Sequence, residues 1–173
     1  SLFLYKATFN DDISNWDVSN VTNMVNMFRG TNFNSDIGNW NVSSVTDMEK
    51  MFLYNSTFNQ DISNWDVSSV TNIQGIFYNA ESFNQDLSSW DVSNVTNMRE
   101  MFEGAESFNQ DLSSWDVSSV TDMSQMFVKA HIFNSDLSNW DVSNVIAMDN
   151  MFYKAWNFNG DISSWDVSSV TNM

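Results

Sequence analysis

The side chains in this chain best placed for chemistry are two recurring sets of aspartates. The first is Asp12, Asp36, Asp61, Asp86, Asp111, Asp136 and Asp161, spaced 24 or 25 residues apart. The second is Asp17, Asp66, Asp91, Asp116, Asp141 and Asp166, interrupted by Asn41. Together they hold 13 of the 22 acidic residues, so most of the net charge of −16 sits in two columns. If equivalent residues stack at a sheet-like spacing of ~5 Å, neighbouring carboxylates repel by about 1 kcal/mol in water and about 3 kcal/mol at an effective dielectric of 20. Something must offset that repulsion. Backbone N–H groups and the serines of D-[IL]-S and D-V-S are one means, by hydrogen bonding. Bound Ca²⁺ is the other, because it takes about six to eight oxygens from Asp, Asn and carbonyl groups. In that second reading the metal ligands are Asp12, Asp36, Asp61, Asp86, Asp111, Asp136 and Asp161, with the Asn of each N-x-D helping. No EF-hand loop or nonapeptide calcium repeat is present, and no cofactor other than Ca²⁺ is indicated.

Catalysis is not expected. There is a single histidine, His131, and no cysteine. A Ser-His-Asp arrangement would have to be built around His131, which reads instead as a loop side chain facing solvent. The lack of cysteine excludes a disulfide framework and thiolate metal sites. No stretch of about 20 apolar residues is long enough to span a membrane. The acidic charge disfavours nucleic acid and anionic lipid as partners.

The aspartates recur because the whole chain does. Phe9, Phe33, Phe58, Phe83, Phe108, Phe133 and Phe158 each precede a Trp by seven positions, from Trp16 to Trp165. The unit is F-N-x-D-[IL]-[SG]-x-W-[DN]-V-S-[NS]-V-[TI]-x-[MI]-x-x-[MI]-F, followed by a variable loop. One repeat array therefore covers 1–173: a tail 1–8, units 9–32, 33–57, 58–82, 83–107, 108–132 and 133–157, and a part-unit 158–173. Neither end has the polar face of a capping unit, so the array is expected to belong to a longer chain. All 14 Phe fall in two columns and all 11 Met in two others. Apolar columns of this kind are expected to form a one-dimensional core as coils pile up.

These columns must be carried by short elements. Trp16 and Val18 alternate with Asn15, Asp17 and Ser19, which predicts a strand. Val21, Met24, Met27 and Phe28 fall on one helical face, which predicts about two helical turns, capped by Ser19 or Thr22. The expected fold is an α/β solenoid, leucine-rich-repeat-like, with 25-residue coils each holding one short parallel strand and one short helix. An all-β solenoid, with V-T-N-M as a further strand, is the alternative. The Asn after each first Phe (Asn10 to Asn159) is expected to form a buried ladder that supports turn backbone.

The run F-N-x-D-[IL]-S-x-W-D-V-S-x-V-T-x-M-x-x-M-F resembles the repeat of BspA-like surface proteins and of mycoplasma surface lipoproteins, over essentially the whole chain. That resemblance implies a leucine-rich-repeat-like fold, extracellular or cell-surface exposure and a part in adhesion or recognition. It carries over no catalytic or ligand residues.

Individuality is confined to the pair between the Met columns and to the loop after the second Phe. All six basic residues and all four Tyr lie there, as does the eighth Trp. Tyr, Trp and Arg are the types enriched at interface anchors. The expected partner-binding residues are Tyr54, Tyr78, Arg99, Lys129, Tyr153, Lys154 and Trp156, meeting a protein or glycan on another cell or a neighbouring subunit. The function expected is a non-catalytic surface recognition or adhesion module. Its alternatives are a subunit of an extracellular fibre, sheath or appendage, and binding of an ordered lattice such as ice through the threonine column Thr22, Thr46, Thr71, Thr96 and Thr121. The sequons at Asn20, Asn41, Asn55 and Asn94 matter only in a glycosylating host.

Overall fold

The computed structural model describes residues 1–173. The chain winds as a stack of coils, each bonded to the next in a 24- or 25-residue register. It contains no α-helix, and its sheet-like content is one line of single parallel bridges, Asn23–Asp47–Asn72–Asn97–Asp122–Ala147–Asn172. The expected α/β coil with one helix and one strand is thus overturned, and the extended strands of the all-β alternative are absent too.

The hydrogen bonds of the segment expected to be helical show why. In a helix each N–H would reach the carbonyl four residues back. Here Met24, Asn26, Phe28 and Gly30 donate instead to the carbonyls of Asp47, Glu49, Met51 and Leu53 in the next coil, at 2.8–2.9 Å. The intervening N–H groups of Met27, Arg29 and Thr31 close turns on Met24, Asn26 and Phe28, at 3.1–3.4 Å. Val25 N–H goes to Asn23 Oδ1 at 3.1 Å. Every donor is used and none of these bonds is helical. The backbone also enters the left-handed region twice per coil, for example at Glu100 (φ 59) and Gly104 (φ 67) in one coil and Gln125 (φ 60) and Lys129 (φ 57) in the next. A right-handed helix cannot contain such residues. Successive i→i+3 turns bring the side chains at i, i+3 and i+4 inward, as at Ile73, Ile76 and Phe77, so they share the apolar spacing that suggested a helix.

The N-W-D-V-S segment keeps its two-residue alternation without becoming a ladder strand. Trp40 and Val42 are buried, while Asn41 between them is exposed. Both sides are turns, with Trp40 N–H on Ile37 C=O and Val45 N–H on Val42 C=O.

The apolar columns do form one continuous core. The second Phe of one unit stacks on the first Phe of the next, as Phe28 on Phe33, at 3.7–4.1 Å between centroids, and the same Phe in adjacent units at 5.6–6.0 Å. Trp65–Trp90 and Trp115–Trp140 stack at 6.5 Å. The column indoles from Trp40 to Trp165 each donate their N–H to the preceding coil, as Trp90 does to Ile62 C=O at 3.1 Å. A buried Trp thereby meets its one polar obligation without leaving the core.

Coil 9–32 is one residue short, and at that corner two buried side chains, Thr31 and Asn55, take up the backbone groups. Asn55 Nδ2 donates to Phe33 C=O at 2.9 Å, and its Oδ1 accepts from the N–H of Thr57 and Phe58. The four later coils have Ala at this place (Ala80, Ala105, Ala130 and Ala155).

Candidate functional site: two carboxylate columns and a variable edge

Each aspartate of the first column accepts the backbone N–H two residues on, from Asp12–Ser14 at 3.0 Å through Asp86–Ser88 at 2.8 Å to Asp161–Ser163 at 2.9 Å. Asp36, Asp61, Asp111 and Asp136 do the same at 2.9 Å. The second column repeats the device, and Asp17, Asp66, Asp91 and Asp116 also accept a serine hydroxyl at 2.6 Å. Asn41 substitutes without loss because the same Oδ1 accepts Ser43 N–H at 3.2 Å and its hydroxyl at 2.7 Å. The local motif is an Asx-turn followed by an i→i+3 turn, made twice in succession.

A third column does the same work and was missed in the sequence. Asn23, Asp47, Asn72, Asn97 and Asp122 each cap the N–H two residues ahead, at 2.8–3.1 Å. The restriction of that position to Asn or Asp, except Ala147, was the available signal.

Electrostatically the hydrogen bonds win over the ladder repulsion. The backbone N–H of Ser138 holds the Asp136 carboxyl below its ordinary range, although Asp111 and Asp161 push the other way. The Ser93 hydroxyl does so for Asp91 against Asp66. The Asn ladder is present but not buried: its members are exposed or half-buried. Asn10, Asn34, Asn59, Asn84, Asn109 and Asn134 each accept the N–H of the next Asn in the series, at 2.7–3.0 Å. The N-x-D amide oxygens from Asn10 to Asn134 thus each accept one backbone N–H from the next coil. No three His, Asp or Glu side chains converge on one point.

Three of the predicted edge residues, Tyr54, Lys129 and Lys154, occupy left-handed positions. Tyr54 and Lys129 sit at φ 59 and φ 57, and both side chains are exposed. Tyr54 is 49% exposed and packs edge-on against half-buried Tyr78 at 5.4 Å. Tyr78 is itself flanked by Glu103, whose carboxyl is pushed up by burial first and by Glu100 second. Glu103, Gln125, Val128, Lys129, Asn150 and Tyr153 line a shallow groove of about 300 Å³. Lys154 Nζ lies 5.2 Å from the centre of the Tyr153 ring, and Arg99 Nε pairs with Glu100 at 2.9 Å. Trp156, 72% exposed, stacks on His131 at 4.2 Å. His131 is half-buried rather than solvent-facing, with Glu106 3.9 Å from its Nδ1. The predicted partner residues thus form three local groups: Tyr54 with Tyr78, Lys129 and Tyr153 with Lys154 around the groove, and Trp156 with His131. Arg99 belongs to the strip between the Met columns.

No curated protein sequence matches the chain. The family described as "Mycoplasma protein of unknown function, DUF285" matches residues 1–113 and 84–173, which together span its full length. The match covers the whole repeat array, and the chain belongs to DUF285.

Proposed function

We propose that this protein is a non-catalytic recognition module, exposed at a cell surface, that binds a protein or glycan through its variable edge. The observation that carries the reading is the division of labour within each coil. Phe, Trp, Met, Asn and Asp positions hold the stack, and nearly all the chemical variety sits on one exposed edge. Solvent-exposed aromatics beside a groove lined by Glu103, Gln125, Lys129 and Asn150 offer both stacking surface and hydrogen-bond partners. Such aromatic anchors with a polar surround are what interfaces use. The resemblance of the repeat to BspA-like surface proteins supports the same assignment and the extracellular location.

The test is a binding screen of the folded protein on glycan and cell-surface protein arrays, beside a triple variant Tyr54→Ala, Tyr153→Ala, Trp156→Ala. Hits of wild type that weaken at least tenfold in the triple variant support the reading. Hits of undiminished strength would move the binding surface to the aspartate face.

A further inference from the structure

The position after the second Phe of each unit reads Leu53, Tyr78, Glu103, Val128 and Tyr153 in successive coils, so one short side chain stands between longer ones. Val128 is buried and forms the floor of the groove of about 300 Å³, with Glu103 on one side and Tyr153 on the other. Those two stand two coils apart, about 10 Å at a sheet-like spacing. Gln125 and Asn150 line the groove from between the Met columns, and Lys129 lines it from the exposed left-handed position beside Val128. The coil of Val128 and Lys129 has a bonded coil on each side, so the depression is internal to the stack. Building on the recognition reading of the variable edge, we infer that this groove is a subsite for one neutral sugar residue of a glycan.

The lining is short of a donor in one place. Glu103 Oε2 is buried and has no hydrogen-bond partner. A buried carboxylate oxygen in that state calls for a donor, and a sugar hydroxyl supplies one. Lys129 brings further donors, and the amides of Gln125 and Asn150 both donate and accept, as adjacent sugar hydroxyls do. The Tyr153 ring gives an apolar wall with a polar tip, against which the C–H face of a pyranose packs. A peptide fits less well. The backbone N–H groups around the groove are spent: Gly104 donates to Val128 C=O at 2.7 Å, Val128 to Gln125 C=O at 3.2 Å and Lys129 to Tyr153 C=O at 2.9 Å. An added strand therefore finds no ladder to join. With only Val128 and Tyr153 apolar, the groove does not take the apolar face of a helix either. Charge narrows the class of sugar. Glu103, the neighbouring Glu100 and the net charge of −16 oppose an acidic sugar. Lys129 opposes one that carries a free ammonium group.

An array of glycans ending in neutral hexoses or N-acetylhexosamines, beside their sialylated counterparts, tests it. The protein is expected to bind a neutral set and to be displaced by the free monosaccharide. Val128→Tyr, which copies Tyr78 and Tyr153 of the same column, fills the groove and should weaken binding at least tenfold. Glu103→Gln keeps the size, removes the carboxylate and should weaken binding at least fivefold. Urea melts check that both variants fold; should Val128→Tyr not fold, Glu103→Gln decides by itself. Absence of neutral-glycan binding overturns the inference, as does a preference for sialylated glycans. So does binding that a folded variant leaves within twofold of wild type. In that last case, loss of binding in the triple variant Tyr54→Ala, Tyr153→Ala, Trp156→Ala keeps recognition by the edge and discards only the groove, whereas binding that survives the triple variant discards both.

Discussion

Trp90 stacks on Trp65 and donates its indole N–H to Ile62 C=O, so one side chain supplies both packing and a buried hydrogen bond. Trp90→Phe keeps a ring in the stack and leaves that carbonyl short of a donor, at an expected cost of about 1–3 kcal/mol. Trp90→Ala also opens a cavity, and about 3–5 kcal/mol is expected. Urea melts of the two variants check the order and the gap. The left-handed positions give a second residue-scale test. Lys129 is exposed and sits at φ 57, where an L side chain costs about 1–2 kcal/mol and glycine does not. After glycine's own entropy cost, Lys129→Gly should raise stability by about 0.5–1 kcal/mol. Gly75→Ala, at φ 56 with the new Cβ 3.3 Å from Lys50 Cγ, should lower it by about 1 kcal/mol. The same melts decide, and a loss at Lys129→Gly would contradict the left-handed turn.

Each coil is a chain of turns, and its stability comes from side chains that cap backbone donors at the corners. Asn55 is the clearest case, since it fits a full-length corner over the shorter coil 9–32. Asn55→Ala matches the residue of the four later coils yet is expected to cost about 2 kcal/mol. It strands the Phe33 carbonyl and Phe58 N–H, both buried. A melt in which Asn55→Ala is neutral would mean that the corner rebuilds itself with backbone bonds. Far-UV circular dichroism tests the absence of helix directly. The protein should melt cooperatively while its spectrum lacks the α-helical double minimum.

Over the whole molecule, the aspartate caps set the pH response. Asp12, Asp61, Asp66, Asp111 and Asp136 are all held below their ordinary value of 3.8, chiefly by Ser N–H or hydroxyl groups. A carboxyl with a depressed folded pKa stabilises above its unfolded pKa, and that contribution is lost as pH falls through the folded value. Glu103 works the other way: its raised pKa favours the fold at low pH, and that contribution fades as pH rises through the raised value. The caps outnumber it. The urea midpoint should hold steady from about pH 7 to 5 and decline below about pH 4. Asp66→Asn, which copies Asn41, should shrink that decline. A midpoint that rises on acidification would show that carboxylate repulsion outweighs capping.

Much of this was legible in the sequence because a repeat states its own register. The Phe, Trp and Met columns announced a stacked core, and the serines beside each Asp announced a hydrogen-bonded alternative to ion binding. The helix over Val21–Phe28 was misread for a physical reason. An i, i+3 apolar spacing reports which side chains turn inward, and both a helix and a run of i→i+3 turns satisfy it. Nothing local at Glu100 or Lys129 announces a left-handed residue, since neither is glycine. What decides is the neighbouring coil, whose carbonyls lie where they can take every second N–H. The sequence by itself determined the period, the core columns and the edge that varies. Only the tertiary structure decided where the backbone donors go, because that depends on the coil stacked above and not on the segment itself.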